Sequence, residues 1–264
     1  TVRAASELGG IGVLGGDVAI GAGGTLAPGN SPGTLTVNGS LALDPASLLA
    51  YEFGQPDVEG GTLNDLTIVN GNLQLDGTIN VAVSAGGAFG PGIYRIFNYA
   101  GALTDNGLEI GAVPVGGYYI QVSVPNQVNL INATGLLLNY WDGANGARND
   151  GAIAGGDGTW PAAPGNDNWT TDTGSPNAPY SDASFAVFQG APGAVTVDRS
   201  VGAISVSGMQ FAVDGYVVSG DAIDLVGAPD TIVRVGDGST NGAAVTTTIA
   251  IPASEMPGTT RSWN

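Results

Sequence analysis

The chain has 264 residues with 45 Gly, 43% apolar residues and only 11% charged ones, which excludes a disordered chain and suits short strands divided by tight turns. Asp and Glu total 23 against 6 basic residues, all of them Arg, and the net charge of −17 excludes nucleic acid as a partner and disfavours anionic membranes. With no Cys and no His, disulfides, zinc–thiolate sites, thiol nucleophiles and every triad built on imidazole are excluded as well.

The start, Thr1-Val2-Arg3-Ala4-Ala5-Ser6-Glu7, lacks the apolar core of a signal peptide, so an exported protein is expected to be represented here by a mature segment. No stretch of about 20 apolar residues offers a membrane-spanning helix. Alternation at Leu35-Thr36-Val37, Leu41-Ala42-Leu43, Ile79-Asn80-Val81-Ala82-Val83 and Ile120-Gln121-Val122-Ser123-Val124 predicts strands with one buried face. Val37-Asn38-Gly39-Ser40-Leu41-Ala42-Leu43-Asp44 recurs 32 positions on as Val69-Asn70-Gly71-Asn72-Leu73-Gln74-Leu75-Asp76, giving a unit of strand, Asn-Gly corner and strand. The two corners are expected to be equivalent, with Gly supplying a positive φ. The rhythm breaks between Trp141 and Asp182, where Gly, Asn, Asp, Pro and Trp accumulate, and resumes at Phe185-Ala186-Val187-Phe188 through Ile249-Ala250-Ile251. Within that last part Ile204-Ser205-Val206-Ser207-Gly208 is echoed by Tyr216-Val217-Val218-Ser219-Gly220. The expected organisation is therefore a strand-rich segment 1–140, a Gly/Asn/Asp/Trp-rich loop insertion 141–184 and resumed strands 185–264.

The fold class is all-β. Asn-Gly between alternating strands suits the hairpins of an antiparallel β-sandwich, and it equally suits the corners of a solenoid whose strands stack in parallel about 4.8 Å apart. Recurrent small residues and near-absence of charge within strands favour stacking, because each inward side chain then meets an equivalent one above and below.

The run Gly23-Gly24-Thr25-Leu26-Ala27-Pro28-Gly29-Asn30-Ser31-Pro32-Gly33-Thr34-Leu35-Thr36-Val37-Asn38-Gly39 resembles a hallmark of bacterial autotransporter (type V secretion) passengers, in which a coil closes on Gly-x-Leu-x-Pro-Gly-Asn-Ser-Pro-Gly. Asn64-Asp65-Leu66-Thr67-Ile68-Val69-Asn70-Gly71 and Gly92-Ile93-Tyr94-Arg95-Ile96-Phe97-Asn98-Tyr99-Ala100-Gly101 are similar to the coils that follow in that family, so the likeness covers residues 12–140. It implies a right-handed parallel β-helix, export through the Sec machinery and display on a Gram-negative cell surface. The chain closes on Thr260-Arg261-Ser262-Trp263-Asn264 without long alternating barrel strands, and its translocator barrel is expected to lie outside this segment.

No catalytic residues are expected. The Arg residues at 3, 95, 148, 199, 234 and 261 are scattered, Gly-x-Ser-x-Gly does not occur, and Asp237-Gly238-Ser239 reads as a turn. Asp142, Asn145, Asn149, Asp150, Asp157, Asn166, Asp167 and Asp172 carry the oxygens a calcium ion would need, but EF-hand spacing is absent and solvated turns are the expectation, with no metal and no cofactor. Trp141, Trp160, Trp169 and Tyr180 are the candidate ligand-binding residues, since indoles stack on sugar faces; the competing reading is that they anchor the segment to the strands around it. The expected function is a non-catalytic adhesive or structural scaffold whose partners are host-cell or matrix glycans or proteins, or neighbouring bacterial cells. The alternatives are a carbohydrate-active enzyme or glycan-binding module on a β-helix, and a self-assembling extracellular filament or surface-layer subunit.

Overall fold

The computed structural model describes residues 1–264 except 115, 145, 163, 228, 229, 237–244, 256–259 and 264, and of residues 230, 253–255 and 260–263 it describes the backbone alone. The Asp237–Ser239 turn and Asn145 lie outside the described residues. The chain forms two compact units, Thr1–Gly135 and Leu136–Asn264, and among the described residues it is all strand and turn.

In the first unit the strands come in triplets. The first is β1 (Glu7–Gly10), β2 (Gly12–Leu14) and β3 (Val18–Ile20); the second is β4 (Thr25–Pro28), β5 (Thr34–Val37) and β6 (Leu41–Leu43). The third is β7 (Leu48–Phe53), β8 (Leu66–Val69) and β9 (Leu73–Leu75), and the fourth β10 (Thr78–Val83), β11 (Gly92–Tyr99) and β12 (Leu103–Asp105). They are followed by β13 (Glu109–Ile110), β14 (Tyr118–Gln121) and β15 (Gln127–Asn132). Each strand from β1 to β10 hydrogen-bonds to the strand three places on, which generates the parallel ladders β1-β4-β7-β10-β13, β2-β5-β8-β11 and β3-β6-β9-β12. Parallel pairing rules out the antiparallel sandwich. Antiparallel strands enter this unit where β15 pairs with β11 across a bulge at Arg95/Phe97 and β14 pairs with β15.

Alternation decides what lies inside. In β4 the burial alternates with Leu26 and Pro28 inward, and in β7 with Leu49, Tyr51 and Phe53 inward. The ladder register then stacks these side chains in columns: Leu26 beside Leu49 beside Ile79, Val37 beside Val69 beside Tyr99, and Leu41 beside Leu73 beside Leu103. The 32-residue echo in the sequence is therefore one step of the ladder, Val37 to Val69 and Leu41 to Leu73. Truncating one such fully buried leucine costs about 2–5 kcal/mol, because the columns cannot close the gap.

The second unit contains β16 (Tyr140–Trp141), β17 (Gly158–Pro161), β18 (Trp169–Thr170), β19 (Asn177–Ala178), β20 (Phe185–Phe188), β21 (Ala194–Asp198) and β22 (Ser205–Val206). It continues with β23 (Gly208–Phe211), β24 (Tyr216–Gly220), β25 (Ile223–Leu225), β26 (Asp230–Val235), β27 (Thr247–Ala250), β28 (Ala253–Glu255) and β29 (Thr260–Trp263). Every-third-strand pairing returns in β20-β23-β26-β29, β21-β24-β27 and β22-β25-β28. Residues 141–184 lie within this unit, and they are more than loop: β17 extends the β21 ladder in parallel, while β16, β18 and β19 form a small antiparallel patch on β20. The echo between residues 204–208 and 216–220 differs in kind from the first. Ser205 pairs with Asp224, and Val217 pairs with Ala194, so the echoed strands sit on different sheets and are not stacked.

The Asn-Gly corners are stacked, for a reason other than backbone conformation. Neither Gly39 nor Gly71 has a positive φ. Asn70 Nδ2 donates to Asn38 Oδ1 at 2.9 Å, Gly71 N donates to Gly39 O at 3.0 Å, and Gly101 N donates to Gly71 O at 2.9 Å. A Cβ on Gly71 would sit 2.7 Å from the Gly39 carbonyl, so these glycines are required by the close approach of successive corners. Gly71→Val is expected to destabilise the unit by about 1–3 kcal/mol through overpacking, in denaturant unfolding. Gly117→Ala, at a glycine whose Cβ would meet nothing within 4 Å, is expected to stay within about 0.5 kcal/mol of the parent.

Candidate functional site

The aromatic residues singled out in the sequence are brought together, but inside the second unit. Trp141, Trp160 and Trp169 are 0% exposed and Tyr180 is 4% exposed. Ring centroids lie 4.7 Å apart for Trp160 and Trp169, 4.5 Å for Trp169 and Tyr180, and 5.2 Å for Trp141 and Trp169, with Phe188 packed against all three indoles. Alternation in β20 turns Phe188 inward against these rings, and Trp141 Nε1 donates to Gly156 O at 2.8 Å. The Nε1 donors of Trp160 and Trp169 have no acceptor, at a cost of about 1–3 kcal/mol each, which the packing of four large rings has to exceed. No ring face is open to a sugar in this arrangement; the geometry is that of an anchor, the competing reading of these residues.

Two acidic residues of the same segment, Asp142 and Asp167, are organised around one cation, Arg148. Asp142 is fully buried, with its Oδ1 accepting from Ala154 N at 2.6 Å and its Oδ2 from Asn177 Nδ2 at 2.8 Å. Arg148, itself largely buried, donates Nη1 to the Asp142 carbonyl at 2.9 Å, Nε to Asp167 Oδ1 at 3.4 Å and Nη2 to Asn168 Oδ1 at 2.5 Å. Asn149 and Asn177 exchange two bonds of 2.7 Å each. Burial raises the Asp142 carboxyl, while the bonds from Asn177 and Ala154 and the charge of Arg148 act in the opposite sense. Asp150 and Asp157 cap backbone amides instead, of Ala152 at 2.9 Å and Ala194 at 2.7 Å, and Asn166 reaches Thr159 O at 2.9 Å. Asp172 is exposed. Among the described residues no group of three or more acidic side chains is arranged to hold a metal ion.

The first unit carries a surface cavity of about 490 Å³ that sequence reasoning did not find. Its floor is the outward face of the β4, β7 and β10 strands, where Ala27 and Ala50 alternate with buried neighbours and Ala82 follows buried Val81. Glu52 pairs with Ala82 across the ladder and accepts from Ser31 Oγ at 2.6 Å. Beneath it, Asp65 accepts from Gly33 N and from Glu52 N, each at 2.7 Å, and so ties the Pro28–Gly33 corner to β7. Gly29 is obligatory there, with φ +93° and a Cβ position 2.5 Å from Asp65 Oδ1. Burial pushes the Asp65 carboxyl up to about 6 against the pull of its two amide donors, and the charge of Glu52 adds to the rise. Gly33 and Asp65 are 32 residues apart, one ladder step, so no local spacing announces this site.

No family model matches the sequence, and no solved structure matches it. A curated relative does. The chain is 54% identical to the adhesin BmaC autotransporter of Brucella suis biovar 1 (strain 1330). The alignment takes in 98% of this chain but only 8% of that protein's length. The likeness thus runs through both compact units, Thr1–Gly135 and Leu136–Asn264, and beyond residues 12–140, over which the sequence had resembled the autotransporter family.

Two outcomes test the second unit. Trp160→Ala and Trp169→Ala are each expected to lower stability by about 3–5 kcal/mol in urea unfolding, as truncations of fully buried rings do. Arg148→Met, which removes the cation from beside the buried Asp142 and Asp167 carboxylates, is expected to cost about 3–5 kcal/mol, while EDTA leaves the parent's unfolding midpoint unchanged.

Proposed function

We propose that this chain is a segment of an autotransporter passenger, folded as a right-handed parallel β-helix, that serves as a non-catalytic adhesive scaffold outside a Gram-negative cell. The observation that carries the reading is the 54% identity to an adhesin autotransporter along nearly the whole chain. The three parallel ladders of each unit support the β-helix, since every third strand returns to the same sheet. A polypeptide wound in this way keeps its shape through backbone hydrogen bonds and stacked apolar columns, and it presents long edges and faces to a partner while its core is untouched. The absence of His and Cys from the sequence, with its dispersed arginines, supports a binding role over catalysis. The partners are host-cell or matrix glycans or proteins, or neighbouring bacterial cells, and the translocator barrel belongs to the longer protein.

Beads coated with the purified chain are expected to attach to cultured host cells or to matrix-coated surfaces, and beads coated with the heat-unfolded chain are expected not to. Equal attachment by folded and unfolded chain, or turnover of a polysaccharide by the folded chain, would refute the adhesive reading.

A further inference from the structure

We propose that the groove floored by Ala27, Ala50 and Ala82 seats a lysine or arginine side chain of a basic polypeptide partner. The inference rests on the adhesive reading for the existence of a partner and adds that partner's chemistry.

Three features of the groove select this occupant. Its floor carries the methyl groups of Ala27, Ala50 and Ala82 with the Asn80 amide among them, and the aliphatic stem of a long basic side chain can lie on the methyls while its charged head reaches the rim. Glu7 and Glu52 line it, with the buried Asp65 carboxylate behind them already bonded to Gly33 N and Glu52 N, and no basic residue is in the lining, so the groove presents acceptors and negative potential to a group that carries only donors. At about 490 Å³ it falls in the range of ligand-sized pockets and has room for the flanking backbone of an extended peptide.

Other occupants fit less well. The chain has no Lys and a net charge of −17, so a second copy is repelled by the same carboxylates that attract a basic segment. A sugar needs a flat aromatic platform, and the aromatic ring in the lining, Tyr51, is 1% exposed with its hydroxyl bonded to Thr67 Oγ1 at 2.7 Å. The lining carboxylates do not form a metal-holding group.

The test titrates the whole 264-residue chain with fluorescent hexalysine peptide and, separately, with a glucosamine hexamer, reading anisotropy at physiological salt. Ala50→Leu fills the groove and keeps every charge; Ala82→Leu serves the same purpose if the first variant fails to fold. Glu52→Gln removes one rim charge, and Asp172→Asn removes one charge from an exposed position in the other unit. Ala50→Leu and Glu52→Gln are each expected to weaken hexalysine binding about fivefold, consistent with a partly screened ion pair, and Asp172→Asn to leave it unchanged. The proposal is overturned by absence of hexalysine binding, by equal weakening in Glu52→Gln and Asp172→Asn with none in Ala50→Leu, or by glucosamine-hexamer binding that is the tighter of the two and is lost in Ala50→Leu. Bead attachment to cells is measured on the same variants. Attachment that persists in the parent without hexalysine binding rejects the groove alone, whereas loss of parent attachment rejects the adhesive reading.

Discussion

Everything in this chain depends on the vertical register of its parallel strands. A residue in one triplet has its counterpart in the next triplet as a direct neighbour, at the strand spacing of about 4.8 Å. Apolar side chains profit from that arrangement, as in the column Leu41, Leu73, Leu103. Charges do not, because a like charge would stand directly above its neighbour, and the charged strand residues accordingly face uncharged partners in the ladder, Glu7 beside Thr25, Glu52 beside Ala82 and Asp224 beside Ser205. The corners obey the same rule more strictly. Gly39, Gly71 and Gly101 are stacked so closely that a single added carbon meets backbone above or below.

The acidic residues excluded from the columns have a second use. Asp17 accepts from Ser40 N at 2.8 Å, Asp157 from Ala194 N at 2.7 Å, Asp182 from Ser205 N at 2.7 Å, Asp214 from Thr246 N at 2.7 Å and Asp221 from Arg199 N at 2.9 Å. Each of these bonds spans 22 to 37 residues and joins a corner to its neighbour in the ladder. A carboxylate is suited to this because it accepts without donating, and at a corner the amides of the adjacent chain segment have lost their strand partners. Much of the negative charge is thus structural, and the isolated Asp residues that read as ordinary turn formers in the sequence act between turns.

How legible the fold was follows from the range of the interactions. Alternation at residues 35–37, 41–43 and 79–83 and the 32-residue echo report the strands and one ladder step directly, because period 2 and repeat length are properties of the sequence itself. The echo between residues 204–208 and 216–220 has the same appearance but joins strands on different sheets, since two strands of one triplet can share a composition without stacking. The aromatic and acidic stretch after Trp141 was visible as unusual. Anchoring of its tryptophans was one of the two readings the sequence offered, but their partners were not legible, because burial of Trp160 depends on pairing with Val197 and packing on Phe188, positions distant in sequence. Arg148 looked scattered along the chain, and only the fold brings it among Asp142, Asp167 and Asn168.

The same long-range pairing joins the Pro28–Gly33 corner to the groove beside it. That corner is held by Asp65, whose carboxylate receives one amide from the corner and one from β7, and the same carboxylate contributes to the groove wall. A buried carboxylate with only amide donors is underscreened, and this is why burial raises its protonation range toward neutrality. Glu52, a short step away, adds negative potential and accepts from the Ser31 hydroxyl. A cation placed over this pair would relieve both costs without disturbing either backbone bond. The fold therefore leaves, beside the Pro28–Gly33 corner, a patch of negative charge over an alanine-bearing floor, in contrast with Asp224 and Glu59, which face Arg199 at 3.1 Å and Arg95 at 3.3 Å.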